Sequence, residues 1–316
     1  MNAPRAIARP IAFLREVAAE FGRNDCTTQA AALAYYTVFS LAPMMVVVIV
    51  IAGVVVSPDQ ATEALHGQFA ELIGPVGANQ VVTMVESVQA DPGSSWVARI
   101  LGTATLLFGA SGVMTQLQAA LNRTWDVVPD PSKGGARQFV AKRLLSFTMI
   151  LGIAFLLLVS LVLTAVLSAI GSRASELLPS GLSQLSLQLL NAAGSFVVIT
   201  VLFAAIFKIL PEVRIRWRDV AVGALFTSAL FTLGKVAIGL YLGNTNVGSA
   251  YGAASSLAIL LVWIYYSSLI LLIGAEFTQV WTRWHHPEVR AQEGAVFVES
   301  TARPVGQERA AVPPNR

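Results

Sequence analysis

Six long stretches of this chain carry almost no charge. Runs 26–58, 100–122, 144–172 and 177–207 contain no Asp, Glu, Lys or Arg. Each exceeds the roughly 20 apolar residues that take a helix across the hydrocarbon core. Two further stretches, 220–242 and 253–275, flank the polar, Gly-rich segment 243–252. The pattern predicts an all-α polytopic membrane helix bundle with six transmembrane helices. Their expected spans are about 30–56, 97–121, 144–170, 185–207, 220–242 and 253–276.

Three domains follow from the pattern. Residues 1–25 form an N-terminal segment with an amphipathic helix over 11–21, in which Leu14, Val17, Ala18 and Phe21 share one face. Such a helix either lies in the membrane interface or packs on the bundle. Residues 26–284 form the membrane domain. Residues 285–316, rich in Pro, Glu and Arg, are expected to be a disordered tail. The connection 57–99 suggests two short helices hinged at Gly74-Pro75, and Pro43 interrupts the first span.

Charge orients the bundle. The successive segments outside the spans hold four, one, five, one, four, none and five Lys or Arg, which is 18 on one side against 2 on the other. Lys235, inside the fifth span, completes the 21. Positive loops stay in the cytoplasm, so both termini are expected there. Trp96, Trp125, Trp217, Trp281 and Trp284 fall near span ends, where interfacial belts sit.

Composition changes little. The chain has 316 residues, is 55% hydrophobic and 12% charged, and its mean hydropathy is +0.66, too apolar for an ordinary soluble domain. A net charge of +3 and a pI near 9.2 would fit nucleic acid, yet the positive-inside distribution accounts for both. No nucleic-acid partner is expected. Residues 1–25 do not read as a signal peptide, and the single Cys26 excludes an intramolecular disulfide.

Ionisable groups inside a bilayer default to a functional hypothesis, and here they are Lys235 and Glu276. By helix rise Lys235 lies about 10 Å below the outer end of its span, and the two groups are some 20 Å apart in depth. A direct salt bridge is therefore not expected. Lys235 shares its depth with Ser40 and Pro43, and two readings stay open. It either meets an anionic headgroup or the carbonyl freed by Pro43, or it snorkels to the interface. For Glu276 the plain reading is a helix-end anchor near Arg123 or Arg143. Span two is the most polar, with Gln116 and Asn122 among its interior candidates beside Arg123. The GxxxG spacing of Gly239 and Gly243 permits self-association. No catalytic motif appears, His66 is isolated in the sequence, and no metal site, cofactor or enzymatic activity is expected.

Several segments, taken together, resemble a known family. They are Ala31-Ala32-Leu33-Ala34-Tyr35-Tyr36 running to Ser40-Leu41-Ala42-Pro43, and Ala120-Leu121-Asn122-Arg123-Thr124-Trp125. Further on come Leu210-Pro211, Trp217-Arg218-Asp219-Val220, Gly234-Lys235, Tyr251-Gly252-Ala253 and Gly274-Ala275-Glu276. Their order and spacing over about residues 20–282 resemble the YihY/BrkB family, also called the virulence-factor BrkB family. The resemblance implies a multi-pass bacterial inner (plasma) membrane protein linked to envelope integrity, with a role in transport of lipids. Members have also carried the label ribonuclease BN, but RNA hydrolysis needs positioned acid/base groups or metals, which the short inner loops do not offer. The expected function is a transporter or flippase-like protein for a lipid or other amphipathic anion, with membrane lipids as partners. The alternative is a non-transporting scaffold for envelope protein partners.

Overall fold

The computed structural model describes residues 5–52, 112–130, 180–244, 255–286, 288–292 and 294–298, with isolated positions 62–63, 66–67, 78–79, 82–83, 144, 148 and 152. Its helices are α1 (Arg5–Arg23), α2 (Cys26–Ala52), α3 (residues 112–124), α4 (Ser180–Ile209), α5 (Trp217–Asn244) and α6 (Ser255–His285). Four short strands lie between and after them: β1 (Val127–Pro129), β2 (Val213–Arg214), β3 (Arg290–Ala291) and β4 (Ala295–Phe297).

Helices apolar all round belong in a membrane or a deep core. Among the described residues, three stretches are long and apolar enough to cross a membrane: Ala192–Ile209, Trp217–Ile238 and Leu257–His285. Their outward side chains are apolar too. Val197, Leu233 and Val236 are all exposed, as lipid-facing positions require. Helix α2 continues past Pro43 to Ala52. The expected third span and most of the connection 57–99, including its hinge at Gly74-Pro75, lie outside the described residues. Helical turns at 66–67 and 78–79 are joined by His66 Nε2 and Asn79 Oδ1 at 2.8 Å, so His66 has a partner that the sequence did not reveal.

Helix α6 is the hub. It packs against α1, α2 and α5, and α4 packs against α5. The core runs through Leu33 and Leu41 of α2, Leu117 and Leu121 of α3, Phe203 and Phe207 of α4, and Leu260 and Leu272 of α6. The α5–α6 contact is close. Thr227 and Thr278 each donate their hydroxyl to the carbonyl four residues back, Gly223 at 2.7 Å and Gly274 at 2.6 Å. Each threonine also lies on the other helix's glycine: a methyl group at Gly223 would sit 1.8 Å from Thr278 Oγ1, and one at Gly274 1.9 Å from Thr227 Oγ1. Small residues let membrane helices approach closely, and here two Gly-xxx-Thr spacings interlock reciprocally.

Helix α1 packs on α6. Phe13 meets the rings of Phe277 and Trp284 edge-on at 5.1 and 5.4 Å. Arg283 pairs with Glu20 at 2.9 Å, and Trp284 Nε1 donates to Glu16 at 2.7 Å. Val17 is buried, but Leu14 is exposed, so the predicted apolar face is only partly used in packing. The α1–α2 turn passes through Asp25 at a left-handed φ of 52°. Its carboxylate accepts from Thr28 Oγ1 at 3.0 Å, and its carbonyl accepts from the Gln29 N–H at 3.1 Å at the start of α2.

Two expectations are corrected. Residues 288–292 and 294–298 are not a disordered tail: β3 pairs antiparallel with β2, and β4 with β1, placing Val213 opposite Ala291 and Val127 opposite Phe297. The tail supplies the second strand of two ladders that neither the 127–130 loop nor the 211–215 loop could form alone. Residues 299–316 lie outside the described residues. Trp125 is buried in the core instead of standing in an interfacial belt, while Trp217 and Trp284 are exposed as expected.

Candidate functional site

Glu276 is where three separate segments converge. Helix α6 runs on to His285, so this carboxyl lies more than two turns inside a helix and is not the end anchor expected from the sequence. It is completely buried. Oε1 accepts three hydrogen bonds, from Asn24 Nδ2 at 2.8 Å, Thr124 Oγ1 at 3.2 Å and Cys26 Sγ at 3.3 Å. Those donors come from the α1–α2 turn, the last turn of α3 and the first residue of α2. Oε2 is buried with no hydrogen-bond partner, and among the described residues no Lys, Arg or His forms an ion pair with Glu276. Arg143, the other neighbour expected for Glu276, lies outside the described residues.

Beside this nest lies a cavity of about 610 Å³. Its polar wall is Arg23, Asn24, Thr115, Gln118, Asn122, Arg123 and Asp126, and its floor is Val127, Val128, Pro129 and Val298. Arg23 is occupied by Glu20 and by Asp126, the latter at 3.3 Å. Arg123 is exposed and carries no ion pair among the described residues. Asn122 Oδ1 accepts from the Glu212 N–H at 2.8 Å, and Gln118 Nε2 donates to Glu212 Oε1 at 3.3 Å, which fixes both amides. A planar guanidinium with positioned amides suits a phosphate or carboxylate. Val298 brings the tail into the wall, because its N–H donates to the Asp126 carbonyl at 2.8 Å.

A second, apolar cavity of about 300 Å³ opens further along the bundle. Thr37 and Leu41 of α2, Phe203 and Ile206 of α4, Phe231 of α5, and Trp263, Ser267 and Leu271 of α6 line it.

The sequence candidates separate into two groups. Asn122, Arg123 and Glu276 come together around Asn24. Gln116 stands apart, donating to Gln29 at 3.3 Å across α2 and α3. Ser40 is buried against α3, its Oγ 3.2 Å from where a methyl on Gly112 would be. Lys235 is half-buried on α5 and has neither an ion pair nor a hydrogen bond among the described residues. Sequence reasoning missed Asn24, Cys26 and Thr124 as partners of Glu276. The only signal was local: an Asn-Asp-Cys turn and a Thr beside a Trp, both next to span ends.

The chain is similar to known membrane proteins. The family model described as virulence factor BrkB matches residues 17–296. A UPF0761 membrane protein of Alkalilimnicola ehrlichii is 29% identical over 264 residues, covering 83% of this chain and 56% of that protein. A UPF0761 membrane protein of Mannheimia succiniciproducens is 28% identical over 262 residues, covering 82% and 86%. A protein of Bacillus subtilis named as ribonuclease-like is 25% identical over 272 residues, covering 84% and 94%. The chain thus spans little more than half the length of the Alkalilimnicola relative and 65% of a similar protein of Nitrosospira multiformis. No solved structure matches the chain.

Proposed function

The chain belongs to the virulence factor BrkB family, a multi-pass protein of the bacterial inner membrane, and from that premise we propose that it carries an amphipathic anion, a phospholipid or a similar molecule, across that membrane. The observation that supports this reading is Arg123. It is a guanidinium without an ion pair among the described residues, on the wall of a cavity of about 610 Å³ with Asn122 and Gln118 beside it. A free guanidinium flanked by amides fits a headgroup phosphate. The apolar cavity between α2, α4, α5 and α6 suits the hydrocarbon of the same molecule. Six spans with both termini in the cytoplasm complete the proposal, and the charge asymmetry supports them.

Non-enzymatic action is part of the proposal, and the ribonuclease-like name of the Bacillus relative is not extended to this chain. Among the described residues no three His, Cys, Asp or Glu groups are placed to hold a metal ion, and the cavity joins two arginines to one carboxylate. The scaffold reading draws on a different observation, the exposed Val296, Phe297 and Val298 of the tail, an apolar strip that a partner could cover.

Native mass spectrometry of the full-length protein released from mixed nanodiscs tests the headgroup site. Phosphatidylglycerol is expected to be retained over phosphatidylcholine, and Arg123→Gln to weaken that retention about tenfold or more, as loss of a charge-assisted hydrogen bond predicts. Equal retention of both lipids, or no effect of Arg123→Gln, overturns the assignment.

A further inference from the structure

We propose that Glu276 binds a monovalent cation, a proton or an alkali ion, at Oε2, and that Asn24 couples this site to the anion in the neighbouring cavity. The coupling half of the proposal rests on the anion-carrier reading; the cation site does not.

The argument begins with what Glu276 lacks. Three donors from two segments, residues 24–26 and the end of α3, fall on Oε1, while Oε2 is buried and has no hydrogen-bond partner. An unmade buried hydrogen bond costs about 1–3 kcal/mol. Glu20 and Asp219 also leave one oxygen without a hydrogen-bond partner, but each faces a basic side chain, Arg23 and Arg283 or His286, whereas Glu276 has no ion pair among the described residues. The groups facing it supply no positive charge at bonding distance. From α1 comes Glu20, already paired with Arg283 and Arg23. From the start of α2 come Cys26, a donor, and Asp25, which accepts from Thr28. From α3 comes Arg123, which stands on the cavity side. Helix α5 presents its uncharged Gly223 and Thr227 to α6, and its Asp219 lies 4.0 Å from His286 instead. A proton at Oε2 removes the charge of the buried carboxylate, and an alkali ion balances that charge and takes Oε2 as a ligand.

Asn24 is the shared wall. Its amide donates to Glu276, and its side chain also borders the cavity that holds Arg123. It is buried, so it cannot turn towards an anion without changing the nest behind it. A cation on Glu276 and an anion beside Arg123 also offset each other's charge. Two sites joined in this way must raise each other's affinity by the same factor.

The test is infrared difference spectroscopy of the full-length protein in nanodiscs. One arm compares acid with alkaline buffer in potassium; the other exchanges sodium for potassium at fixed alkaline pH. A carboxyl or carboxylate band is expected in one arm, absent from Glu276→Gln and displaced in Glu276→Asp, which keeps the group on a shorter stem. The responding arm identifies the cation. Glycerol phosphate, standing in for a headgroup, is expected to tighten cation binding at least about fivefold, the lower end of ordinary two-site coupling, and to lose this effect in Asn24→Ala. Spectra of wild type and Glu276→Gln that superimpose in both arms overturn the cation site. A Glu276 band that ignores glycerol phosphate, in protein shown to bind it, overturns the coupling. Absence of glycerol phosphate binding in wild type counts against the anion-carrier reading, while a Glu276-dependent band supports the cation site on its own.

Discussion

Gly223 and Gly274 set how near α5 and α6 can come. Each accommodates a threonine of the other helix at a distance no Cβ tolerates, and the obstructing atoms belong to short side chains held by their own hydrogen bonds. Gly223→Ala is therefore expected to destabilise the bundle by about 1–3 kcal/mol, the usual cost of overpacking. Adding Thr278→Ala should recover part of the loss, because the nearest atom, Oγ1, is then gone. Cys26 supplies the readout: it is the chain's single cysteine and is buried, so its reaction with a thiol dye on heating reports unfolding. An unchanged midpoint for Gly223→Ala would mean that the helices are not in this contact. At this scale the sequence was partly legible. Glu276 stood out as a carboxyl inside a span, and the repeated Gly-xxx-Thr spacing was there to read. Its partners were not, since Asn24, Cys26 and Thr124 lie 252, 250 and 152 residues away along the chain. Only helix packing brings them together.

Among the elements, long apolar helices were readable because twenty or so apolar residues admit few other arrangements. Predicted spans 185–207 and 220–242 lie within α4 (Ser180–Ile209) and α5 (Trp217–Asn244). The last helix ran past its expected end because Trp281, Arg283 and Trp284 are anchored by Phe13, Glu20 and Glu16 of α1, so the polar turns stay helical. The tail strands were invisible for the opposite reason. Two or three residues per strand carry no periodicity, and their pairing depends on loops far away in sequence. Gln292 shows how the tail is fastened: its N–H donates to the Glu212 carbonyl at 2.9 Å and its side-chain amide reaches the Pro211 and Val213 carbonyls. Removing residues 287–316 is expected to leave the helices inserted but expose the loops around 127–130 and 211–215 to proteolysis severalfold faster, since short two-stranded ladders open readily without their partners. Limited proteolysis with mass mapping checks this, and identical cleavage of both proteins would show that the tail does not brace these loops.

For the molecule as a whole, orientation and transport remain the proposals to be tested. The charge pattern predicts Lys133 inside and Gly248 outside. In a Cys26→Ser background, which keeps a hydroxyl donor near Glu276, a cysteine replacing Gly248 should react with an impermeant thiol reagent in spheroplasts, and one replacing Lys133 should not. The reverse labelling would invert the bundle and put the Arg123 cavity on the other leaflet. The most direct measurement of the central claim is lipid movement by the purified full-length protein in vesicles. Fluorescent phosphatidylglycerol starts in both leaflets, and dithionite quenches only what reaches the outer one. The account predicts that wild-type protein exposes the inner-leaflet pool, that Arg123→Gln slows this strongly at equal reconstitution, and that fluorescent phosphatidylcholine moves far less. Protein-containing and protein-free vesicles that quench alike, with Cys26 still protected in the reconstituted protein, would contradict it.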